Sequence, residues 1–311
     1  MSSLQFLTLV KMMTKALVIG YGSIGRRHVN ILRGMGCDVS IVSRHQSGVA
    51  FFNFLSEAFR AHDFDYVVVA NETSLHAEML SELVRLKYSR KLLVEKPIFT
   101  SGSSIPVNQF ETFAVAYNLR FNLALQALAM KLNGQKIISA QLYVGQYLPY
   151  WRPDSDYKKS YSASSEKGGG VLRDLSHELD IALWLFGDVV KVSAIGGRLS
   201  SLEIDSDDSW GVLGVFSACP LVTLQLNYLD RIVKREIVVN TEGNTYHLDL
   251  LTGSLNCNGD ISSFKAKRDA TYLAQHEAIL AGDLSYVCNA ESGLKVLKLI
   301  EEIERSACKI N

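Results

Sequence analysis

The chain of 311 residues lacks an excess charge of either sign, because 32 Lys and Arg residues balance 32 Asp and Glu residues. It has no long block of like charge, so the electrostatic footprint that nucleic-acid binding requires is missing. No apolar run approaches the ~18 residues that span a membrane. These absences point away from nucleic-acid and membrane partners. At this length, two globular domains are expected.

Cysteine is too sparse to form a pattern. The five cysteines are Cys37, Cys219, Cys257, Cys288 and Cys308. They are odd in number and lack a C-x-x-C pair, so neither disulfides nor a metal site is predicted, and the reduced thiols of a cytoplasmic protein are expected. Residues 1–12 contain an apolar patch without a small-residue cleavage site, so we expect an N-terminal extension rather than a signal peptide.

Glycine, by contrast, forms one informative motif, the G-x-G-x-x-G sequence of residues 20–25. It follows an apolar run and leads into a helical pattern, which is the context of a dinucleotide-binding turn. The first glycine permits a sharp turn, the second a close approach of backbone to pyrophosphate, and the third close packing of helix on strand. The residues predicted to bind the cofactor here are Gly20, Gly22, Ser23, Ile24 and Gly25.

Two different patterns of hydrophobic residues divide the chain into two parts. Residues 13–121 alternate short apolar runs with helical stretches, which indicates a dinucleotide-binding domain with a doubly wound parallel sheet of Rossmann type. Residues 122–311 contain longer alternating runs, a glycine-led helix and two closing helices. This second pattern predicts an α+β domain for substrate binding and oligomerisation, with an open, mostly antiparallel sheet that has one exposed or partner-covered face.

The second apolar run ends without the acid that reads the ribose of NAD. No Asp or Glu occurs from Val39 to Ser47, and the run ends at Ser43 and Arg44. A carboxylate would repel a 2′-phosphate, whereas Ser43 can donate to it and Arg44 can clamp it. NADP is therefore favoured over NAD, with an ordinary surface charge at Arg44 as the alternative.

Two further loops are predicted at the carboxyl edge of the sheet. Asn71, Thr73 and His76 follow the apolar run at 66–70 and are expected to lie against the cofactor. His76 either lines the nicotinamide pocket or is a partly exposed residue of the first helical turn. Glu95 follows the run at 91–94 and is expected at the cofactor for the same reason.

Lys96, directly after Glu95, is the first candidate for proton transfer. Burial or a nearby oxidised nicotinamide would lower its pKa toward the working range, which suits a general acid or base. A solvated charge is the ordinary role of a lysine at a strand end. The peptide bond before Pro97 is a candidate for the cis isomer.

Together these motifs resemble those of the Gfo/Idh/MocA oxidoreductases, which include glucose–fructose oxidoreductase and inositol dehydrogenase. The resemblance covers nearly the whole chain from residue 13 and rests on segments 20–25, 71–76, 95–97, 117–121 and 168–180. It implies an acid/base role for Lys96 at the junction of cofactor and substrate, and a substrate contact for Arg120. It also implies that the second-domain sheets pair between subunits, so a homodimer or homotetramer is expected.

A helix is predicted to begin near Val171 and to present one polar face to the site. Arg173, Asp174, His177 and Asp180 share that face at helical spacing. The family pattern places an acid four residues before the histidine, but here Arg173 stands there and Asp174 is three residues before His177. His177 is therefore the stronger candidate for proton transfer or for binding a substrate hydroxyl, and Asp174 the weaker. A solvent-facing histidine is the alternative for His177.

Aromatic and basic residues are concentrated in the loop before that helix. Trp151, Arg152 and Tyr161 are suited to stacking on a sugar ring and to pairing with a carboxylate or phosphate. A packed subunit interface would use the same aromatic residues.

The combined prediction is an oxidoreductase with NADP preferred or NAD as cofactor. It would transfer hydride between nicotinamide and a carbinol or carbonyl carbon of a sugar-like substrate, with Lys96 and His177 handling the proton. The alternative substrate is a sugar nucleotide or acidic sugar of a surface-polysaccharide pathway. The alternative class is a non-catalytic NADP-binding sensor.

Overall fold

The computed structural model describes residues 13–44, 50–102 and 107–308, so the predicted extension at 1–12 lies outside the described residues. One half of the fold is a seven-stranded sheet in the order β15-β6-β5-β4-β1-β2-β3. Its strands are β1 (Lys15–Ile19), β2 (Asp38–Val42), β3 (Phe51–Phe52), β4 (Tyr66–Val69), β5 (Lys91–Val94), β6 (Thr112–Val115) and β15 (Cys288–Asn289). The first six are mutually parallel and β15 is antiparallel to β6. The predicted doubly wound sheet is confirmed.

Helices cover both faces of that sheet and part of the second one. They are α1 (Ser23–Gly34), α2 (Leu55–Ala61), α3 (His76–Arg85), α4 (Leu123–Leu132), α5 (Val171–Asp174), α6 (His177–Phe186), α7 (Ala270–Ala281) and α8 (Ala290–Ser306). Because of this double cover, every residue of β4 is buried. That burial explains why the strand is a continuous apolar run.

The second sheet has nine strands in the order β14-β13-β12-β11-β7-β10-β9-β8-β16. They are β7 (Ile137–Gly145), β8 (Val189–Gly197), β9 (Ser209–Phe216), β10 (Cys219–Asn227), β11 (Lys234–Thr241), β12 (Thr245–Asp249), β13 (Ser254–Cys257), β14 (Asp260–Ser263) and β16 (Ala307–Cys308). Only the β7–β10 and β8–β16 pairs are parallel. Buried and exposed residues alternate along β9, so one face packs on the core and the other is open. The predicted mostly antiparallel sheet is confirmed.

The C-terminal part of the chain returns to the first sheet. Strand β15 pairs with β6, and Ile279 of α7 belongs to the same hydrophobic cluster as Ala16 and Val68 of the first sheet. The predicted division placed all of 122–311 in the second domain, but this segment packs with the first. Local hydrophobic periodicity carries no signal for such a return, because it does not say which sheet a helix covers.

The single helix predicted from Val171 is wrong. Helix α5 ends at Asp174 and α6 begins at His177, with Leu175 and Ser176 between them. Both intervening residues are buried, and the Ser176 hydroxyl accepts a hydrogen bond from the Tyr117 hydroxyl at 3.3 Å. The break removes the common polar face that helical spacing predicted.

Candidate active site

A cavity of about 1040 Å³ opens at the carboxyl ends of the parallel strands. Ile19, Val42, Ala70 and Glu95 line it, and each ends or directly follows one of the central strands. This is the edge at which doubly wound sheets bind their ligands. The cavity is therefore the candidate active site.

The glycine turn forms one wall of the cavity. Gly20 has a φ of +98°, and a methyl group on it would lie 2.7 Å from the Ala70 carbonyl oxygen. A methyl group on Gly25 would collide with the Gly20 carbonyl, whereas one on Gly22 would meet no atom within 4 Å. Gly22 therefore faces open space at the start of α1, which fits a pyrophosphate bound at the helix N-terminus. Ser23 and Ile24 line the same wall.

The rim beside β2 is lined by Ser43 and Arg44, where the sequence placed the ribose-binding residues. Arg26 lines the same cavity and lies over the ring of Tyr21, 5.7 Å from its centroid. Tyr21 meets Phe51 edge-on at 5.1 Å. The rim therefore offers two guanidinium groups and a packed aromatic surface to an adenosine moiety.

The loop after β4 contributes Asn71 and Thr73, which both line the cavity. The Asn71 side-chain oxygen is buried without a hydrogen-bond partner. Thr73 Oγ1 lies 3.0 Å from the hydroxyl of Tyr161, which also lines the cavity and donates to the Gly168 carbonyl oxygen at 2.7 Å. The Asn71 side-chain oxygen is thus an unsatisfied acceptor on a residue that lines the cavity.

His76 meets neither of its two predicted descriptions. It is fully buried, and its ring nitrogens lie 3.1 Å from the Ile98 carbonyl oxygen and 3.3 Å from the Asn71 carbonyl oxygen. Burial lowers its pKa, although the two carbonyls oppose that shift. His76 braces the Asn71 loop against the segment after Pro97 and does not line the cavity.

Lys96 lies at the inner end of the cavity beside Glu95, and the peptide bond between Lys96 and Pro97 is cis. Its ammonium group donates to the backbone carbonyl oxygen of Asp174 at 2.5 Å. Burial lowers the pKa of Lys96, and the carboxylates of Asp174 and Glu95 only partly offset it. A half-buried lysine whose pKa is lowered is suited to exchanging a proton with a substrate oxygen.

Asp174 and His177 lie next to Lys96 but differ in their partners. The Asp174 carboxylate accepts a hydrogen bond from the Tyr228 hydroxyl at 2.7 Å. His177 packs edge-on against the Tyr117 ring at 5.5 Å, and its Nδ1 is buried without a partner. Burial lowers the pKa of His177 well below the usual value, and the positive charges of Lys96 and Arg235 lower it further. Both effects favour the neutral ring, which suits His177 to binding a substrate hydroxyl better than to proton transfer.

The other members of the predicted polar face are paired elsewhere. Arg173 forms a bidentate ion pair with Glu304 of α8. Asp180 is buried and accepts two hydrogen bonds from Arg120, at 2.9 and 2.6 Å. Both side chains are almost completely buried, with 8% and 1% exposure for Arg120 and Asp180. The expected substrate contact of Arg120 is not supported, since its charge is already neutralised in the core.

The loop before α5 is divided between the cavity and the protein interior. Arg152 is exposed and lines the cavity. Trp151 is half-buried with its ring edge-on to Tyr228 at 5.2 Å, and its indole Nε1 has no hydrogen-bond partner. Lys158, a further basic residue of the same loop, pairs with Glu203 at 2.5 Å and does not line the cavity.

Tyr228 and Arg235 were missed by sequence reasoning. Tyr228 directly follows β10 and its hydroxyl holds Asp174, while Arg235 on β11 forms an ion pair with buried Glu178 beside His177. Neither has a local motif that signals such a role. His28 was missed as well, although its place three residues after the last glycine of the turn is a local signal.

Two negative findings apply to the described ranges 13–44, 50–102 and 107–308. No group of three or more His, Cys, Asp or Glu residues is placed to hold a metal ion there. No helix in these ranges is long and apolar enough to cross a membrane.

The fold and the glycine cradle define a two-domain, dinucleotide-binding oxidoreductase. The family described as "Oxidoreductase family, NAD-binding Rossmann fold" matches residues 14–111, and the "GFO/IDH/MocA C-terminal domain" matches residues 136–245. The chain belongs to the Gfo/Idh/MocA family of oxidoreductases. Its cofactor class is NAD or NADP, as the sequence predicted. No curated protein matched the sequence.

Solved structures share this fold at low sequence identity. The UDP-N-acetylglucosamine 3-dehydrogenase of Acidithiobacillus ferrooxidans superposes with a TM-score of 0.74 at 18% identity, covering 95% of this chain and 98% of that one. The WlbA dehydrogenase of Bordetella pertussis, in complex with NADH and UDP-GlcNAcA, gives 0.74 at 18%, covering 94% and 95%. A myo-inositol dehydrogenase of Corynebacterium glutamicum gives 0.70 at 19%, covering 95% and 97%.

Proposed function

We propose that this protein is a dehydrogenase that transfers hydride between a nicotinamide cofactor and a CH–OH or carbonyl carbon of a sugar or sugar derivative. The observation that carries the proposal is Lys96, a half-buried lysine at the end of a dinucleotide cavity, with its ammonium group on the Asp174 carbonyl oxygen. The bound cofactor would supply the hydride chemistry. Lys96 would exchange the proton of the reacting oxygen.

The unsatisfied polar atoms near Lys96 favour a polyhydroxy substrate. Asn71 lines the cavity and offers an acceptor. Trp151, with an unpaired N–H, and His177, with an unpaired Nδ1, do not line it, but each adjoins a lining residue, Arg152 and Lys96 respectively. Buried polar atoms normally have partners, so atoms left without one at a cavity are suited to a ligand that supplies them. Sugar hydroxyls both donate and accept, and therefore match this mixed set.

One of the similar structures is named for a UDP-linked sugar and another for an inositol, and a third was solved with UDP-GlcNAcA bound. A free sugar or polyol is proposed as the substrate of this chain. A sugar nucleotide or acidic sugar is the second candidate, because exposed Arg152 lines the cavity and can pair with a phosphate or carboxylate.

Absorbance of the reduced cofactor tests the function directly. The purified protein is incubated with oxidised cofactor and a panel of sugars, polyols and sugar nucleotides, and with reduced cofactor and their keto forms. Turnover on one chemical class, lost in Lys96→Ala, is the expected result. Tight cofactor binding without turnover on any of them would favour the sensor.

The cofactor preference and the assembly are proposed from two further features. Ser43 and Arg44 at the rim favour NADP over NAD. The open face of the second sheet exposes Ile195, Leu213 and Leu221 by about half. An apolar face of this kind is usually covered, so we propose a homodimer or homotetramer through the sheet. We propose a cytoplasmic location separately, from the scattered cysteines that predict reduced thiols. Light scattering that gives a monomer at micromolar concentration would contradict the oligomer, and Leu213→Asp should dissociate it.

A further inference from the structure

A string of four buried polar side chains runs from the active site into the first domain. His28 Nε2 lies 2.8 Å from Glu95 Oε1, and His28 Nδ1 lies 2.8 Å from His276 Nε2. His276 Nδ1 lies 2.9 Å from the Tyr66 hydroxyl. Helix α1 supplies His28, α7 supplies His276 and β4 supplies Tyr66. We call these three residues and Glu95 the buried relay; the return of α7 to the first sheet completes it.

One arrangement of protons satisfies every hydrogen bond with both histidines neutral. Tyr66 donates to His276 Nδ1, His276 Nε2–H donates to His28 Nδ1, and His28 Nε2–H donates to the Glu95 carboxylate. Burial lowers the pKa of His276 well below the usual value, and the neighbouring His28 lowers it further, which favours a neutral ring. All three donors then point toward Glu95, and bonds aligned in series strengthen one another.

Glu95 links the relay to the catalytic lysine. Its second carboxylate oxygen accepts a hydrogen bond from the backbone N–H of Lys96 at 3.1 Å. Burial opposes ionisation of Glu95, but its hydrogen bond with His28 and the nearby charge of Lys96 hold its pKa below the usual value. The other titratable groups that face Glu95 are His76 of α3 and Tyr272 of α7.

The inner end of the relay is isolated from solvent. Tyr66 and His276 are both fully buried. The titratable neighbours of Tyr66 are Tyr88 and Cys37, whose neutral forms add no charge to the relay. Among the described residues, the Tyr66 hydroxyl makes its side-chain hydrogen bond with His276, so the relay ends at Tyr66.

We propose that the buried relay keeps Glu95 as an oriented carboxylate, and that this carboxylate positions Lys96 for its reaction. Glu95 acts on Lys96 directly, whereas His28, His276 and Tyr66 are positioning residues that act only through Glu95. The role of Lys96 rests on the proposed function. The ionisation of Glu95 does not, and it can be measured without any substrate.

Infrared titration of the whole protein with bound NADPH tests the proposal. The carboxyl signal of Glu95 is identified by its loss in Glu95→Gln. In the unsubstituted protein Glu95 should stay ionised as the pH falls, whereas Tyr66→Phe should raise its protonation midpoint by about one pH unit or more, because the charged form loses its support. Tyr88→Phe is the matched control, since it removes a buried hydroxyl that donates to the Lys91 carbonyl oxygen and makes none of the relay's hydrogen bonds.

A second pair of variants covers the case in which Tyr66→Phe does not fold. His276→Leu should shift the Glu95 midpoint in the same direction, while His276→Gln keeps a donor for His28 and should restore it. Unchanged Glu95 titration in both Tyr66→Phe and His276→Leu would overturn the relay. A shifted midpoint in a protein without dehydrogenase activity would keep the relay and refute the proposed function instead. In an active enzyme, the kcat pH profile should move with the Glu95 midpoint.

Discussion

Helix α6 and its neighbours hold two sets of buried polar side chains that differ in whether their partners are present. Asp180 and Glu178 each accept two hydrogen bonds from an arginine, Arg120 and Arg235 respectively. His177, on the same helix, has a buried Nδ1 with no partner. An unsatisfied buried polar group costs about 1–3 kcal/mol. The paired carboxylates therefore have partners within the fold, whereas His177 lacks a partner that the proposed substrate would supply.

Replacing Lys96, which adjoins the unpaired His177, should give the largest effect on the catalytic rate. Lys96→Ala should abolish measurable turnover while leaving cofactor affinity nearly intact, because the glycine turn holds the pyrophosphate. Lys91→Ala is a matched control, since that lysine also donates to a carbonyl oxygen, that of Leu280, but lies outside the cavity. Steady-state rates and fluorescence titration of the cofactor measure both. A near-normal kcat in Lys96→Ala would refute the acid/base role.

Variants of His177 and Asp174 show which of these two neighbours of Lys96 contributes more to the reaction. His177→Asn should raise the reaction barrier by about 1–3 kcal/mol, because it removes the neutral ring whose unpaired Nδ1 would hold a substrate hydroxyl. Asp174→Asn should cost less and mainly raise KM, because it retains both the backbone carbonyl that holds Lys96 and a side-chain oxygen for Tyr228. Kinetics of both variants on the true substrate decide the ranking. The opposite ranking would identify the Asp174 carboxylate as the acid.

A variant of Arg120 tests how much the paired buried charges contribute to stability. Arg120→Ala leaves the buried Asp180 carboxylate alone, which should destabilise the protein by about 3–5 kcal/mol. Urea unfolding measures the loss, and the double variant Arg120→Met/Asp180→Leu should recover much of it. Normal stability with a raised KM would instead return Arg120 to the substrate site.

Arg44 tests the same residue type in the opposite setting. It is exposed at the rim, so Arg44→Ala should leave the stability unchanged and weaken NADPH binding by about 1–3 kcal/mol, the value of a hydrogen bond to a charged group. Affinity for NADH should not change. Tighter binding of NAD(H) than of NADP(H) by the unsubstituted protein would refute the argument from Ser43 and Arg44.

The pH profile should show the smallest effect. Burial lowers the pKa of Lys96, so its ammonium loses the proton at a lower pH than an ordinary lysine near 10.4. A step that needs the charged form therefore declines as the pH rises through that lowered pKa. His177 is already neutral near its ordinary value of about 6.5, so no change in kcat from His177 is expected there. A rate that rises with a midpoint near 6.5, and loses that rise in His177→Asn, would contradict the buried neutral ring.

Much of the active site could be predicted from sequence because its signals are local. The glycine turn, the end of β5 at Glu95 and Lys96, and the loop from Asn71 each follow a buried strand, and parallel strands bring their ends to one edge. The Rossmann sheet and the open second sheet were predictable for the same reason, since burial on two faces or on one leaves its own periodicity.

The partners of the buried charges could not be predicted in this way. Nothing near Arg120 in the sequence indicates Asp180, and the helix that was predicted through Asp174 and His177 breaks at buried Leu175 and Ser176. The buried position of His76 has the same origin, since the Ile98 carbonyl that meets it comes from a different loop.

By itself, the sequence determined the class of fold, the cofactor edge and the identity of the lysine at that edge, because each depends on residues a few positions apart. Only the tertiary structure decided which polar side chains are neutralised and which stay unsatisfied. That outcome depends on groups far apart in the chain, such as His28 and His276, which meet only when α7 packs back on the first sheet. Burial then makes each missing or present partner worth kilocalories, because water is not there to replace it.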